Sequence, residues 1–96
     1  MIDLAPEVLG LLKELITEYV PECEIRVFGS RIHGTVKSYS DIDIALKCSH
    51  PVDRQTMNRL KEALQESTLT IRVDVLDWYT ISDEFRQVIE EGYEVL

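Results

Sequence analysis

The sequence predicts a two-layer α+β fold, a small mixed sheet with helices on one face, in the order α-β-β-α-β-α. Three observations predict it. Apolar residues recur at helical spacing in three stretches, and three short stretches between them read as strands. The polar side of the second and third strands gathers aspartates, while their other side is aliphatic.

Leu4, Val8, Leu11, Leu12, Leu15, Ile16 and Tyr19 form one stripe, so residues 5–20 are expected to be an amphipathic helix. Asp3 and Pro6 suit its start and Pro21 its stop. Glu24 to Phe28 reads as a short strand ending at Gly29-Ser30. Residues 31–39 are polar and too many for a tight hairpin, so they read as a loop or one helical turn. Ser40 to Lys47 is the second strand, with Ile42, Ile44 and Leu46 on one side and Asp41, Asp43 and Ala45 on the other. Asp53 is a candidate N-cap for a helix whose stripe is Met57, Leu60, Ala63 and Leu64. Leu69 to Leu76 is the third strand, with Leu69, Ile71, Val73 and Val75 facing the core and Thr70, Arg72 and Asp74 facing away. Thr80 to Asp83 resembles a capping box with Asp for Glu, opening a last helix in which Phe85, Val88 and Ile89 turn inward. Gly92 suits its end, and Tyr93 to Leu96 reads as a short extra strand or a frayed tail.

The 96 residues suit one domain spanning 1–96. Eighteen acidic against ten basic residues give a net charge of −8, which repels phosphate backbones and argues against unaided nucleic-acid binding. A carboxylate-bound metal would cancel part of that charge, so a nucleotide carried with Mg²⁺ stays compatible. No basic leader and no long apolar run are present, so neither a signal peptide nor a membrane span is expected. Cys23 and Cys48 are expected to give no disulfide framework, and a cytoplasmic location follows as the default.

Asp41 and Asp43 leave the same face of one strand. Two carboxylates so close repel unless something positive lies between them, and a divalent cation with hard oxygen ligands is the natural partner. Asp74 has the parity to join them if its strand lies beside the second. Asp77 has the opposite parity and reads as a loop or capping residue. Taken alone, D-x-D is also what a wet surface strand with two solvated aspartates looks like, but the aliphatic neighbours make this a core strand. Gly29 permits a sharp turn and close approach of a ligand, and Ser30 adds a hydroxyl suited to phosphate oxygens, though a plain turn explains the pair equally well. Rival motifs fail on particular residues. Gly29 to Gly34 has Thr35 where a P-loop requires Lys, and there is no G-x-G-x-x-G. Asp41 to Ala45 lacks the further ligand and Gly of an EF-hand loop, and Cys23, His33, Cys48 and His50 lack zinc-site spacing.

Gly29-Ser30, ten residues, Asp41-Ile42-Asp43, then Asp74 on an Ile-Arg-Val-Asp-Val strand resembles the nucleotidyltransferase superfamily of DNA polymerase β. More narrowly the chain resembles the minimal nucleotidyltransferases, or MNT-domain proteins, over nearly its whole length. The resemblance implies a polymerase β-like fold and two bound Mg²⁺ ions. It implies that Asp41 and Asp43 hold the metals and the triphosphate. Asp74 is then the third carboxylate, placed to help deprotonate the attacking hydroxyl. Gly29 and Ser30 would hold phosphates, and Arg31 matches a basic residue common just after that pair. His33 departs from the pattern, standing where members often carry Arg.

The same resemblance implies a partner. Minimal nucleotidyltransferases are typically paired with small helical HEPN-domain toxins, and act as antitoxins that move AMP from ATP onto a tyrosine of the partner. A homo- or hetero-oligomer is compatible with that. Two other readings stand beside it: a non-catalytic subunit that masks its HEPN partner, and a small-molecule (antibiotic) nucleotidyltransferase. Tyr39, Trp78 and Tyr79 are read as packing aromatics outside the site.

Overall fold

A computed structural model describes residues 4–29, 41–69 and 71–96. Ser30, Arg31, His33, Tyr39 and Ser40, together with Asp3 and Thr70, lie outside the described residues. Among the described residues the element order is α1 (Pro6–Tyr19), β1 (Glu24–Phe28), β2 (Ile42–Lys47), α2 (Arg54–Glu66), β3 (Val73–Asp77), α3 (Asp83–Glu90) and β4 (Tyr93–Val95), with a 3-10 turn at Trp78–Thr80. No helix among these residues is long and apolar enough to cross a membrane.

The strands form one mixed sheet in the order β3-β2-β1-β4. β2 pairs antiparallel with β1 and parallel with β3, and the tail forms a real strand, antiparallel to β1. β3 starts at Val73 rather than Leu69. Its pairing partner begins at Ile42, whose N–H donates to the Arg72 carbonyl at 3.0 Å, and Ile42↔Val73 is the first pair of the ladder among the described residues.

Period-two alternation divides the sheet into two faces. Ile25 and Val27 of β1, Ile42, Ile44 and Leu46 of β2, and Val75 of β3 pack with Leu12 and Ile16 of α1 and Leu60 and Leu64 of α2. Leu12, Ile16, Ile44, Leu46 and Leu60 are fully buried. Each such side chain contributes about 1.5–3 kcal/mol of transfer free energy, which is what holds two otherwise marginal helices on the sheet.

α1 and α2 therefore lie on the apolar face as expected, but α3 is on the other one. Its Ile89 packs with Phe28, Ala45 and Trp78, side chains of the carboxylate side. Among the described residues, α3 covers the Trp78 side of that face and not the part near Asp43. The α3 stripe is correspondingly narrower than predicted: Ile89 is buried, Phe85 is 39% exposed and Val88 60%. The cap also differs. Ser82 Oγ accepts the Phe85 N–H at 3.1 Å, while Thr80 Oγ1 turns back to the Asp77 carbonyl at 3.0 Å. Thr80 belongs to the preceding turn, so the capping-box reading fails.

Cys23 and Cys48 form a disulfide with Cα atoms 4.2 Å apart, against expectation. Their spacing in sequence gave no hint of it. The register Glu24↔Lys47 puts the residues just outside that pair, 23 and 48, opposite one another.

Candidate active site

The site is built where three strands line up. Phe28 faces Asp43 across β1 and β2, and Asp43 faces Asp74 across β2 and β3. Facing residues in a sheet share a side, so the two aspartates stand together on the face that α3 leaves open. Asp41 is on the same side one repeat earlier. Arg72, two residues before Asp74 and just ahead of β3, takes the corresponding place beside Asp74.

Gly29 closes β1 with φ of 88°, the left-handed region that glycine enters without steric cost. A Cβ there would lie 2.6 Å from Asp43 Oδ2. Glycine is thus what lets the Asp43 carboxylate rest against the backbone at the end of β1.

Asp43 is half-buried, and its pKa is raised above the ordinary 3.8. Burial is the largest cause, followed by the negative charges of Asp74 and Asp41. All three causes act against ionisation, so this is a place that gains from a cation. Part of that need is met internally: Arg72 Nε lies 3.3 Å from Asp74 Oδ1, on a side chain that is 74% exposed. As the side chains stand, no three acidic, His or Cys groups among the described residues close into a metal cage. The donor chemistry nonetheless fits a hard divalent ion: carboxylate oxygens on one face, held by strands, with a charge deficit at Asp43.

The carboxylates open into a cleft of about 1000 Å³. Phe28 and Phe85, edge to face with centroids 5.9 Å apart, line it together with Arg72, Lys61 and Gln65. Of the predicted site residues, the structure brings together Gly29, Asp43 and Asp74, with Asp41 alongside. Ser30 and Arg31 fall outside the described residues.

Asp77 is not part of the site. It is buried, its Oδ2 accepts the Val52 N–H at 2.9 Å, and its Oδ1 accepts the Tyr79 N–H at 3.0 Å. That is the capping role its parity implied. Trp78 is buried, with Arg26 Cζ 4.8 Å above its ring, and the Tyr79 hydroxyl donates to the Cys48 carbonyl. Both aromatics are structural. Sequence reasoning missed Arg72, Lys61 and Phe85 as cleft residues. Strand parity with Asp74 was a signal for Arg72; for the other two, which come from helices, none existed.

The family description "Polymerase beta, Nucleotidyltransferase" fits residues 12–96. The chain is 42% identical to the probable protein adenylyltransferase MntA of Haemophilus influenzae, over 99% of this chain and 83% of that protein. Among solved structures it is similar to a toxin–antitoxin with AMP-PNP, at TM-score 0.76 and 28% identity, over 90% of this chain and 69% of the other. It is also similar to the Shewanella oneidensis complex of a tri-AMPylated HEPN toxin with an MNT antitoxin, at TM-score 0.70 and 26% identity, over 93% and 68%.

Proposed function

The chain belongs to the polymerase β nucleotidyltransferase family, and from that premise we propose that it moves AMP from ATP onto a tyrosine hydroxyl of a HEPN-domain partner, as an antitoxin. The observation that carries the reading is the row Gly29, Asp43, Asp74, whose two carboxylates line an open cleft and whose central one is disfavoured in its charged form. The kinship with a protein adenylyltransferase and with structures of MNT–HEPN complexes supports the choice of nucleotide and partner.

In this reading Asp41 and Asp43 would hold divalent metal, and Asp74 would be the third carboxylate, on the β3 side. Two bound Mg²⁺ ions supply charge neutralisation of the triphosphate and of the leaving pyrophosphate. Gly29, with Ser30 and Arg31, binds the phosphates: the glycine lets oxygens approach the backbone, and the other two offer a hydroxyl and a permanent cation. The acceptor oxygen forms a bond to the α-phosphorus, the bond from that phosphorus to the pyrophosphate oxygen breaks, and the hydroxyl proton passes to Asp74.

The test uses the purified chain, Mg²⁺, α-labelled ATP and a HEPN-domain protein as acceptor. Label is expected on a tyrosine of that protein, and Asp41→Asn or Asp43→Asn is expected to remove at least about 10²–10³-fold of the rate, the scale of losing one electrostatic anchor in a transfer site. Labelling that survives Asp41→Asn sinks the assignment.

A further inference from the structure

Beside the transfer site, the structure has an edge without a neighbour. β3 ends the sheet, and among the described residues only β2 pairs with it. The Ile42 N–H bond to the Arg72 carbonyl shows that residues 72, 74 and 76 turn their backbone groups inward. Those of Val73 and Val75 therefore turn outward, along the free edge. Two hollows run beside it and meet at Lys61, Val75 and Leu76: the active-site cleft of about 1000 Å³ and a smaller one of about 300 Å³.

The groove is less acidic than the chain as a whole, with Arg54, Lys61 and Arg72 lining it against Asp43, Asp74 and Asp77. The chain carries −8. Yet Arg72, Lys61 and Arg54 follow one another along the β3 edge, Arg72 and Lys61 lining the first hollow and Lys61 and Arg54 the second. Lys61 and Arg54 are exposed, and neither has an ion-pair partner among the described residues. Asp77 also borders the smaller hollow, but its carboxylate is already engaged by two backbone N–H groups.

Position narrows what this groove receives. Asp43 is in the middle of the row, with Gly29 on the β1 side and Asp74 on the β3 side. A triphosphate on the Gly29 side leaves the β3 side for the acceptor. We propose that the acceptor enters as an extended, acid-bearing protein segment that lies along the free edge of β3, its acidic side chains held by Lys61 and Arg54. This rests on the adenylyl-transfer reading and supplies its acceptor subsite. An open strand edge offers N–H and C=O groups spaced to pair with another peptide backbone, and flanking charges then set which segment is accepted. Nucleic acid lacks the matching backbone groups, and the net charge of the chain repels it.

The experiment measures transfer to the HEPN acceptor protein by wild type and by an Arg54→Glu/Lys61→Glu double variant, with binding of a fluorescent ATP analogue followed separately. Both side chains are exposed, and circular dichroism checks that the variant folds. The expected result is an acceptor KM raised about tenfold or more, kcat within about twofold, unchanged analogue binding, and a loss of the salt dependence of KM that the wild type shows. Arg54→Lys/Lys61→Arg is expected to keep the wild-type KM. An unchanged KM in the charge-reversed variant, or a fall in kcat alone, overturns the proposal. So does preferential transfer to an RNA 3′-hydroxyl. A wild type that transfers AMP to no acceptor defeats the adenylyl-transfer reading itself, and the groove assignment falls with it.

Discussion

Asp43 sits where its charge is least welcome: partly desolvated, between Asp74 and Asp41, and against the Gly29 backbone. Its raised pKa means the folded chain binds this proton more tightly than the unfolded chain, whose Asp titrates at 3.8. The sign follows. The group favours the folded state fully below 3.8, and that contribution is lost as pH rises through the folded pKa. Without metal, Asp43→Asn is therefore expected to raise the melting temperature at neutral pH, with the gain shrinking to nothing as pH falls below the ordinary carboxylate range. Calorimetric scans of both proteins across that range in chelator check it; a gain that persists at the acid end contradicts it. Added Mg²⁺ is expected to stabilise the wild type and not the variant. Stability given up at a reactive carboxylate is a recurrent feature of active sites.

At the scale of elements, β3 separates two aspartates by role although they are three residues apart. Asp74 is in the cleft, and Asp77 ties the end of β3 to Val52 before α2 and to the turn at Trp78–Thr80. Removing a buried carboxylate that accepts two backbone N–H groups leaves both donors without partners, so Asp77→Ala is expected to cost about 2–4 kcal/mol. Urea unfolding measures it. Asp74→Asn should show the reverse pattern, near-normal stability with transfer abolished. A stability loss in Asp74→Asn matching that of Asp77→Ala would erase the distinction. Strand parity made this separation legible in the sequence, because side chains alternate by rule and an odd spacing changes the face. The N-terminus of α3 was not legible in the same way. Thr80 and Ser82 are both competent caps, and what chose Ser82 was the turn made by the residues before it, in which Thr80 is already engaged with Asp77.

For the whole molecule, the Cys23–Cys48 bridge closes a loop of separation 25 that contains Gly29, Asp41 and Asp43. By chain entropy alone, a loop of that length stabilises the folded state by about 3.5 kcal/mol. A Cys23→Ser/Cys48→Ser variant is expected to unfold at lower urea, by about 2–4 kcal/mol, and dithiothreitol should reproduce the shift in the wild type. Coincident curves with and without reductant would show that the bridge is not formed in solution. The bridge ties β1 to β2 at the end remote from the carboxylates, and the Tyr79 hydroxyl bond to Cys48 adds the 3-10 turn to the same corner. The stiff end of the sheet is thus opposite the reacting end.

By itself the sequence determined the elements, the apolar face of the sheet and the residue types of the site. Those depend on periodicity and on short-range turn chemistry, which are local. The placing of Asp74 beside Asp43, the seat of α3 on the carboxylate side, the pairing of the two cysteines and the meeting of Arg54 and Lys61 with the β3 edge were decided only by the tertiary structure. Each is a contact between segments far apart in the chain. Strand order and register set them, and neither is encoded in the spacing of any one segment.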